Sequence, residues 1–411
     1  MHPSSNLLPE LLADFDSPDL RWQLLALARE RNPELATMRA DADAATQRVV
    51  PAGALPDPKL RTEWRDLTRM GEQRPTLTPS RVGSTRYLLM QDLPWAGKRD
   101  LKREVAESQA AAAGGRVLGT WSELTARIKA TYAQLYYLDQ SERLTREILE
   151  LMSRLEKVAQ VRYAGGLAAQ QDVVRAQLEQ TAMRSELIAL ETERRQLQSK
   201  MNYLLGRGAA EPLAAPVQVR TLPQPEKLQF TALESRARTR NPLLVASESE
   251  IRAAEKGREL AYKGRYPDFT VGLSPIQYGS ALREWELMVE VNIPLQQDSR
   301  RAQERESEAM LTAARSRRES TANQVLADLY ENAAGLEAAR RTLALNTDSL
   351  LPQSQLTFQS ALAGYESGKV DFATVLEAQK QVRQARLNQV KAGLEAQVRL
   401  ADIERIVGEE L

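Results

Sequence analysis

The side chains that most often carry chemistry are scarce in this sequence. Cysteine is absent and His2 is the single histidine. That removes thiol nucleophiles, zinc sites built on Cys or His, and histidine general-base catalysis other than through His2 itself. Nine methionines are scattered and assemble no soft-metal site. Carboxylates abound, yet no pair stands in a context that suggests a shared cleft, so the sequence does not point to a hydrolase. Lys plus Arg number 56 and Asp plus Glu 55, a net charge of +1, which gives no electrostatic case for a nucleic-acid partner. The remaining candidate chemistry is positional. Two glycine-centred breaks, RYAGGLAAQQDVVRAQ at Arg162–Gln177 and GYESGKVDFATVLEAQ at Gly364–Gln379, interrupt long helical sequence, and each carries a tyrosine and at least one carboxylate.

The elements that hold these breaks are helices of unusual length. Lys98 to about Arg162 contains no proline, and Leu144, Ile148, Leu151, Leu155 and Val158 follow the 4-3-4-3 spacing of a heptad seam. At 1.5 Å per residue that segment is roughly 100 Å long. A return helix is expected from about Ala169 to Leu205, with Leu187, Leu190, Leu197, Met201 and Leu204 on one stripe. A third spans Gln297 to Ala363, and a fourth, Phe372 to Val407, carries Leu387, Val390, Leu394 and Val398. On its own this pattern predicts an antiparallel coiled coil, the architecture of a soluble scaffold protein.

Four short segments alternate with period two instead. Lys59–Arg65 sets Leu60, Thr62 and Trp64 against charged neighbours, and Ser84–Leu93 sets Thr85, Tyr87, Leu89 and Leu93 against Arg86 and Asp92. Asp268–Ser274 aligns Phe269, Val271 and Leu273; Glu284–Ile293 aligns Trp285, Leu287, Val289, Val291 and Ile293 against Glu284, Glu286 and Glu290. They predict two hairpins, about 57–93 and 267–293, joined by Leu67–Gly83 and Pro275–Arg283. The alternation fits a soluble sheet with one face on a core, and equally a set of bilayer-crossing strands whose charged residues face water. No apolar run approaches the ~20 residues of a membrane helix, and mean hydropathy is −0.46. Met1-His2-Pro3 leads straight into polar sequence, so the chain reads as cytoplasmic or as a mature form whose export signal is gone.

The chain also repeats. RNPEL at Arg31–Leu35 returns as RNPLL at Arg240–Leu244, each read as an Asn N-cap followed by Pro at the first helical position. Tyr163, Gly166, Ala176 and Gln177 recur 202 positions later as Tyr365, Gly368, Ala378 and Gln379. The expected organisation is a first structural repeat over 1–211, with its helical hairpin about 96–205. A proline-rich linker follows over 212–228, then a second repeat over 229–411 with its helical hairpin about 297–408. Four strands cannot close a barrel, whereas three copies of the chain supply twelve.

The repeat, the paired Tyr-x-x-Gly breaks, NPEL and QDLPWAGKR at Gln91–Arg99 resemble the TolC family of outer-membrane efflux proteins. LPWAGKR is most similar to the heavy-metal branch, the CusC and CzcC type. The resemblance implies an α+β membrane protein with an internal twofold repeat. It would be a homotrimer with a 12-stranded outer-membrane β-barrel, four strands per chain, continuous with a 12-helix periplasmic α-barrel. It implies no catalysis and no cofactor, but a passive exit duct for heavy-metal cations, with drugs or secreted proteins as the alternative cargo. Its partners would be a periplasmic adaptor (membrane fusion protein), an inner-membrane pump of the resistance-nodulation-division class and outer-membrane lipid. Trp64, Tyr87, Leu89, Phe269, Val271, Trp285, Leu287, Val289 and Val291 would face that lipid. Gly165, Gly166, Leu167, Gly368 and Lys369 would form the periplasmic tip turns that dock the adaptor. Asp172 and Tyr365 would hold the tip closed, and Thr374 and Glu377 occupy the two positions of an acidic constriction, so one of its carboxylates is missing. The basic residue expected to pair across the tip falls at Val370, and the N-terminal cysteine that many relatives lipidate is absent.

Overall fold

In the computed structural model, residues 20–216 and 218–411 are described; His2 and the rest of residues 1–19, which the first repeat was expected to include, lie outside them. The elements in order are α1 (Leu20–Arg31), α2 (Pro33–Gln47), α3 (Val49–Gly53), β1 (Lys59–Arg65), β2 (Ser84–Leu93), α4 (Lys98–Ala164), α5 (Gln170–Leu204), a 3-10 turn (Pro225–Leu228), α6 (Phe230–Arg240), α7 (Pro242–Lys263), β3 (Asp268–Tyr278), β4 (Ala281–Asn292), α8 (Gln297–Leu345), a π-helical turn (Asn346–Leu350), α9 (Leu351–Glu366) and α10 (Phe372–Val407). They form two compact units, each drawing on both sequence repeats. One contains the residues up to Thr37 with Leu118–Pro242 and Ala322–Leu411; the other contains Met38–Val117 and Leu243–Thr321.

The second unit holds a four-stranded antiparallel sheet in the order β1-β2-β3-β4. Its register aligns Leu60, Leu89, Leu273 and Leu287 in one row across all four strands. All four are exposed, Leu287 at 76%. Phe269 and Val271 pair with Val291 and Val289 on that same face. The opposite face carries the ion pairs Arg86–Glu286 (2.7 Å) and Lys59–Asp92 (2.7 Å). It is not uniformly charged, as the alternation had suggested: Leu88, Met90 and Ile276 are buried there. Leu88 lies across Gly272, where a Cβ would stand 2.9 Å from Leu88 Cδ1. The resemblance implies that this row meets lipid in a closed barrel, in which case replacing Leu287 with Arg should destabilise the assembly by about 2–4 kcal/mol. Unchanged heat-modifiability on gels would show that this row does not meet lipid.

The second hairpin is tighter than expected. β3 continues through Pro275 to Tyr278 and β4 begins at Ala281, leaving Gly279-Ser280 as the loop in place of Pro275–Arg283. Gly279 has φ 59°, as such a two-residue turn requires. Proline removes a ladder donor, and the β2–β3 pairing skips from Leu89↔Leu273 to Arg86↔Ile276 at that point. The Ser274 hydroxyl there accepts from Arg86 Nε at 2.9 Å.

In the first unit the buried seam of α4 runs Leu144, Ile148, Met152, Leu155, Ala159. Met152 and Ala159 therefore replace Leu151 and Val158, and Val158 is exposed. The 4-4-3 spacing follows a nearly straight helix, whereas a strict heptad demands supercoiling. α5 buries Asp172, Ala176, Gln180 and Met183 with the same 4-4-3 spacing. In α10 the alanines Ala385, Ala392 and Ala396 are buried, while Leu387, Val390, Leu394 and Val398 are only half-buried. The third helix is interrupted by the π-helical turn just before Pro352, which cannot donate to the carbonyl four residues back.

The RNP motifs are joints. Asn32 Oδ1 accepts from Leu35 N (3.0 Å), the N-cap expected, and Asn32 Nδ2 donates to Leu204 O (2.9 Å) at the end of α5. Asn241 Nδ2 likewise donates to Ile406 O (2.7 Å) at the end of α10. One amide thus starts a helix and satisfies a terminal carbonyl of another.

Candidate functional site

Each helical hairpin reverses at a glycine in the left-handed region, Gly166 (φ 72°) and Gly368 (φ 75°). Gly166 N donates to Tyr163 O (3.0 Å) and Leu167 N to Arg162 O (2.8 Å); Gly368 N donates to Tyr365 O (3.0 Å) and Lys369 N to Gly364 O (2.8 Å). These are two Schellman endings with their bonds at the same offset of 202. Gly165 has an ordinary backbone and its counterpart is Ser367. Leu167 is exposed at 70%, and Lys369 is also exposed.

The two tyrosines have opposite surroundings. Tyr163 is 48% exposed, whereas Tyr365 is 3% exposed. The Tyr365 ring packs on Phe372 at 5.3 Å and under the Arg162 guanidinium at 4.8 Å. Arg162 Nη1 also donates to Glu366 O at 2.9 Å, tying the first turn to the second. Because the guanidinium sits over the ring face, the contact is cation–π, and the Tyr365 hydroxyl has no hydrogen-bond partner among the described residues. Position 370, where the resemblance placed a basic residue, is Val370, and the basic side chain that contacts Tyr365 is Arg162. Val370 packs on Gly364 instead, where a Cβ would lie 3.0 Å from Val370 Cγ2. Arg162 was missed because its partner is 203 positions away in sequence and its position matches glycine in the other repeat.

Asp172 is buried; its N donates to Ala169 O (3.1 Å), and its carboxylate has no hydrogen-bond or ion-pair partner among the described residues. Burial raises its pKa; Arg175 and Arg162 pull downward and Asp371 adds to the rise. Tyr365 is raised by burial and then by the Asp172 charge, with Arg162 opposing. The two side chains are electrostatic neighbours and are not hydrogen-bonded. Thr374 is exposed, and both its N (3.0 Å) and Oγ1 (2.6 Å) donate to Asp371 Oδ1, so Asp371 caps α10. Those donors lower the Asp371 pKa. Glu377 is exposed one turn further along. Asp371, Thr374 and Glu377 therefore follow at i, i+3 and i+6 on one strip, and Asp371 brings a carboxylate that sequence reading placed nowhere. Above the first turn, Glu156 accepts from Gln160 (3.0 Å), Gln177 (2.8 Å) and Gln180, which lowers its pKa through Gln177 first and Gln180 next. That carboxylate clamps α4 to α5 through neutral donors.

LPWAGKR proves to be a joint in the other unit. Trp95 N and Lys98 Nζ both donate to Asp268 Oδ1 (2.8 Å each), and Lys98 Nζ also donates to Tyr266 O (2.9 Å). Arg99 Nε and Nη2 donate to Gly53 O. The motif fastens the start of α4 to the start of β3, and none of its side chains is placed to read a metal. Among the described residues no group of three or more His, Asp or Glu could hold a metal ion.

Three comparisons bear on this arrangement. The family described as outer membrane efflux protein matches residues 24–207 and 233–409. The cobalt-zinc-cadmium resistance protein CzcC of Cupriavidus metallidurans is 24% identical over 389 residues, 93% of this chain and 88% of that one. Among solved structures, the outer membrane protein VceC of Vibrio cholerae superposes with a TM-score of 0.79 at 17% identity, covering 95% of this chain and 96% of that chain. CusC superposes with a TM-score of 0.79 at 16% identity, covering 95% and 92%.

Proposed function

Because the chain belongs to the outer membrane efflux protein family, whose members are channels and not enzymes, we propose that it is the outer-membrane duct of a tripartite pump for heavy-metal cations. Its partners are then two further copies of itself, a periplasmic adaptor and an inner-membrane resistance-nodulation-division pump. The observation that carries this reading is the sheet: four strands with a continuous exposed leucine row and two unpaired edges, β1 and β4. Open edges and an apolar outer face are removed together when copies close a barrel in a bilayer. The half-buried stripe Leu387, Val390, Leu394 and Val398 on α10 supports helix contacts with neighbouring copies.

Metal cargo is supported by the relative named for cobalt, zinc and cadmium resistance. With no ligand cluster in the described residues, cation preference in the duct is bulk electrostatics. Three copies of Asp371 and Glu377 would place six carboxylates at the narrow end, attracting cations. Gly165–Leu167 and Gly368-Lys369 are the adaptor-docking turns, exposed as docking requires.

A deletion strain should lose tolerance to one or more of Zn, Co, Cd, Ni, Cu and Ag while keeping its antibiotic tolerance. Restored tolerance with the wild-type chain, but not with Gly166→Trp or Gly368→Trp variants that still assemble, would support docking through the turns. Loss of antibiotic tolerance alone would replace metal cargo with organic compounds, and full complementation by the tryptophan variants would move the docking surface elsewhere.

A further inference from the structure

Where the apolar face of the sheet meets the helices, a ladder of side chains descends from it. Phe269 stands on the exposed face, paired with Val291. Trp95 stacks on Phe269 with ring centroids 5.9 Å apart, and Tyr266 stacks on Trp95 at 5.0 Å. The Lys263 ammonium lies 5.7 Å from the centroid of the Tyr266 ring. Arg300 borders the same turn: a Cβ on Gly264 would lie 3.3 Å from Arg300 Nη1, and one on Gly97 would lie 3.6 Å from Lys263 Nζ. Each step is about one ring wide, and the sequence runs from hydrocarbon contact through two stacked amphipathic rings to cations.

The charges at the foot of the ladder are uncompensated. The carboxylates Asp268 and Glu304 are held by Lys98 and Arg265. Lys263 and Arg300 have no ion-pair partner among the described residues. Leu295, three residues beyond the end of β4, is exposed at 81%.

We propose that this ladder binds one anionic glycerophospholipid from the leaflet on the helical side of the barrel. Its acyl chains lie along Phe269 and Val291, its ester region meets the Trp95 and Tyr266 rings, and its phosphodiester sits at Lys263 and Arg300. Aromatic side chains with one polar end occupy that depth of a bilayer, and basic residues at the surface attract anionic headgroups. A zwitterionic choline headgroup would bring its own cation against Lys263 and Arg300, which selects for a headgroup with net negative charge. The site continues the lipid-facing surface of an outer-membrane channel and is independent of the cargo.

The full chain reconstituted in nanodiscs of phosphatidylcholine containing a minority of phosphatidylglycerol would be released into native mass spectrometry. Retained phosphatidylglycerol should exceed its share of the bilayer. Lys263→Gln and Arg300→Gln should each reduce that excess about fivefold, and the charge-preserving pair Lys263→Arg with Arg300→Lys should restore most of it. Equal retention of the two lipids by the wild-type chain overturns the proposal, as does undiminished retention in the double glutamine variant. Complete displacement by millimolar inorganic phosphate also overturns it, because the site would then be a plain anion site. If the double variant fails to assemble, the wild-type lipid ratio and the single Lys263→Gln variant decide. Metal tolerance of the deletion strain reads the efflux function separately, so the two conclusions fail independently.

Discussion

Gly206→Ala should prevent assembly of the channel, whereas Gly166→Ala should leave it nearly intact. Both glycines sit in the left-handed region, at φ 66° and 72°, and both end a long helix. That conformation costs an alanine about 1–2 kcal/mol. The difference lies in the surroundings. A Cβ on Gly206 would stand 2.4 Å from Arg31 O and 2.9 Å from Arg31 C, while one on Gly166 meets nothing within 4 Å. The Arg31 carbonyl is backbone at the Asn32 joint, so it cannot move without breaking the Asn32–Leu204 bond. Adding that repacking brings the total above about 3 kcal/mol, the range of severe core substitutions. Gly408, with Arg240 O at 2.7 Å from its added Cβ, belongs with Gly206. Melting of the heat-modifiable species and its abundance in the outer-membrane fraction measure the difference. Equal losses in Gly166→Ala and Gly206→Ala would show that backbone strain, not the close approach, sets the sensitivity.

On the reading that the cluster around Tyr365 holds the tip closed, Tyr365→Ala should open the tip, and Asp172→Asn should hold it more firmly shut. Truncating the tyrosine removes the ring shared by Phe372 and Arg162 and leaves a cavity in the cluster with Met152, Ala176 and Val375. Losses of about 3–5 kcal/mol are usual for buried aromatic truncation. Tyr365→Phe keeps the ring and deletes only a hydroxyl without a hydrogen bond, so it should change little. For Asp172, burial raises the pKa of the packed state above the ordinary 3.8. The packed tip therefore binds its proton more tightly than an open tip does. Its stability is greatest where Asp172 is neutral and declines as pH rises through the window between the ordinary and the raised value. Acidification should lower single-channel conductance in a planar bilayer, and Asp172→Asn should fix the low value across that window. A Phe variant as open as the Ala variant would make the hydroxyl the latch, and a pH response surviving in Asp172→Asn would place the sensor elsewhere.

The strands and helices were legible because their periodicities are properties of consecutive residues. β1, β2 and α10 begin and end where alternation or helical sequence does. Errors arose where a second chain segment decides. Leu151 and Val158 fit a heptad better than Met152 and Ala159, but the straight α4 turns the latter pair inward. Pro275 looked like a strand end, and β3 passes through it because only the β2 ladder gives way there. Arg162 and Asp371 carried no motif. Their roles come from a ring 203 residues away and from an N-cap at the fourth chain reversal of an otherwise repeated plan. Tyr163 and Tyr365 are the same letter in equivalent positions, and only packing distinguishes the exposed one from the buried one.

The double use of the RNP asparagines also sets an order of events. Asn32 reaches Leu204 across 172 residues, and Asn241 reaches Ile406 across 165. α2 can cap itself as soon as Leu35 is present, yet the bond that fixes α2 to the molecule waits until the whole return helix has been delivered. A chain emerging amino terminus first therefore delivers 204 of its 411 residues before the Asn32 joint can close, and 406 before the Asn241 joint can. Contacts of such separation slow folding, and a variant weakened at Asn32 or Asn241 should show its deficit first as slow maturation, with a normal melting point among the molecules that complete it.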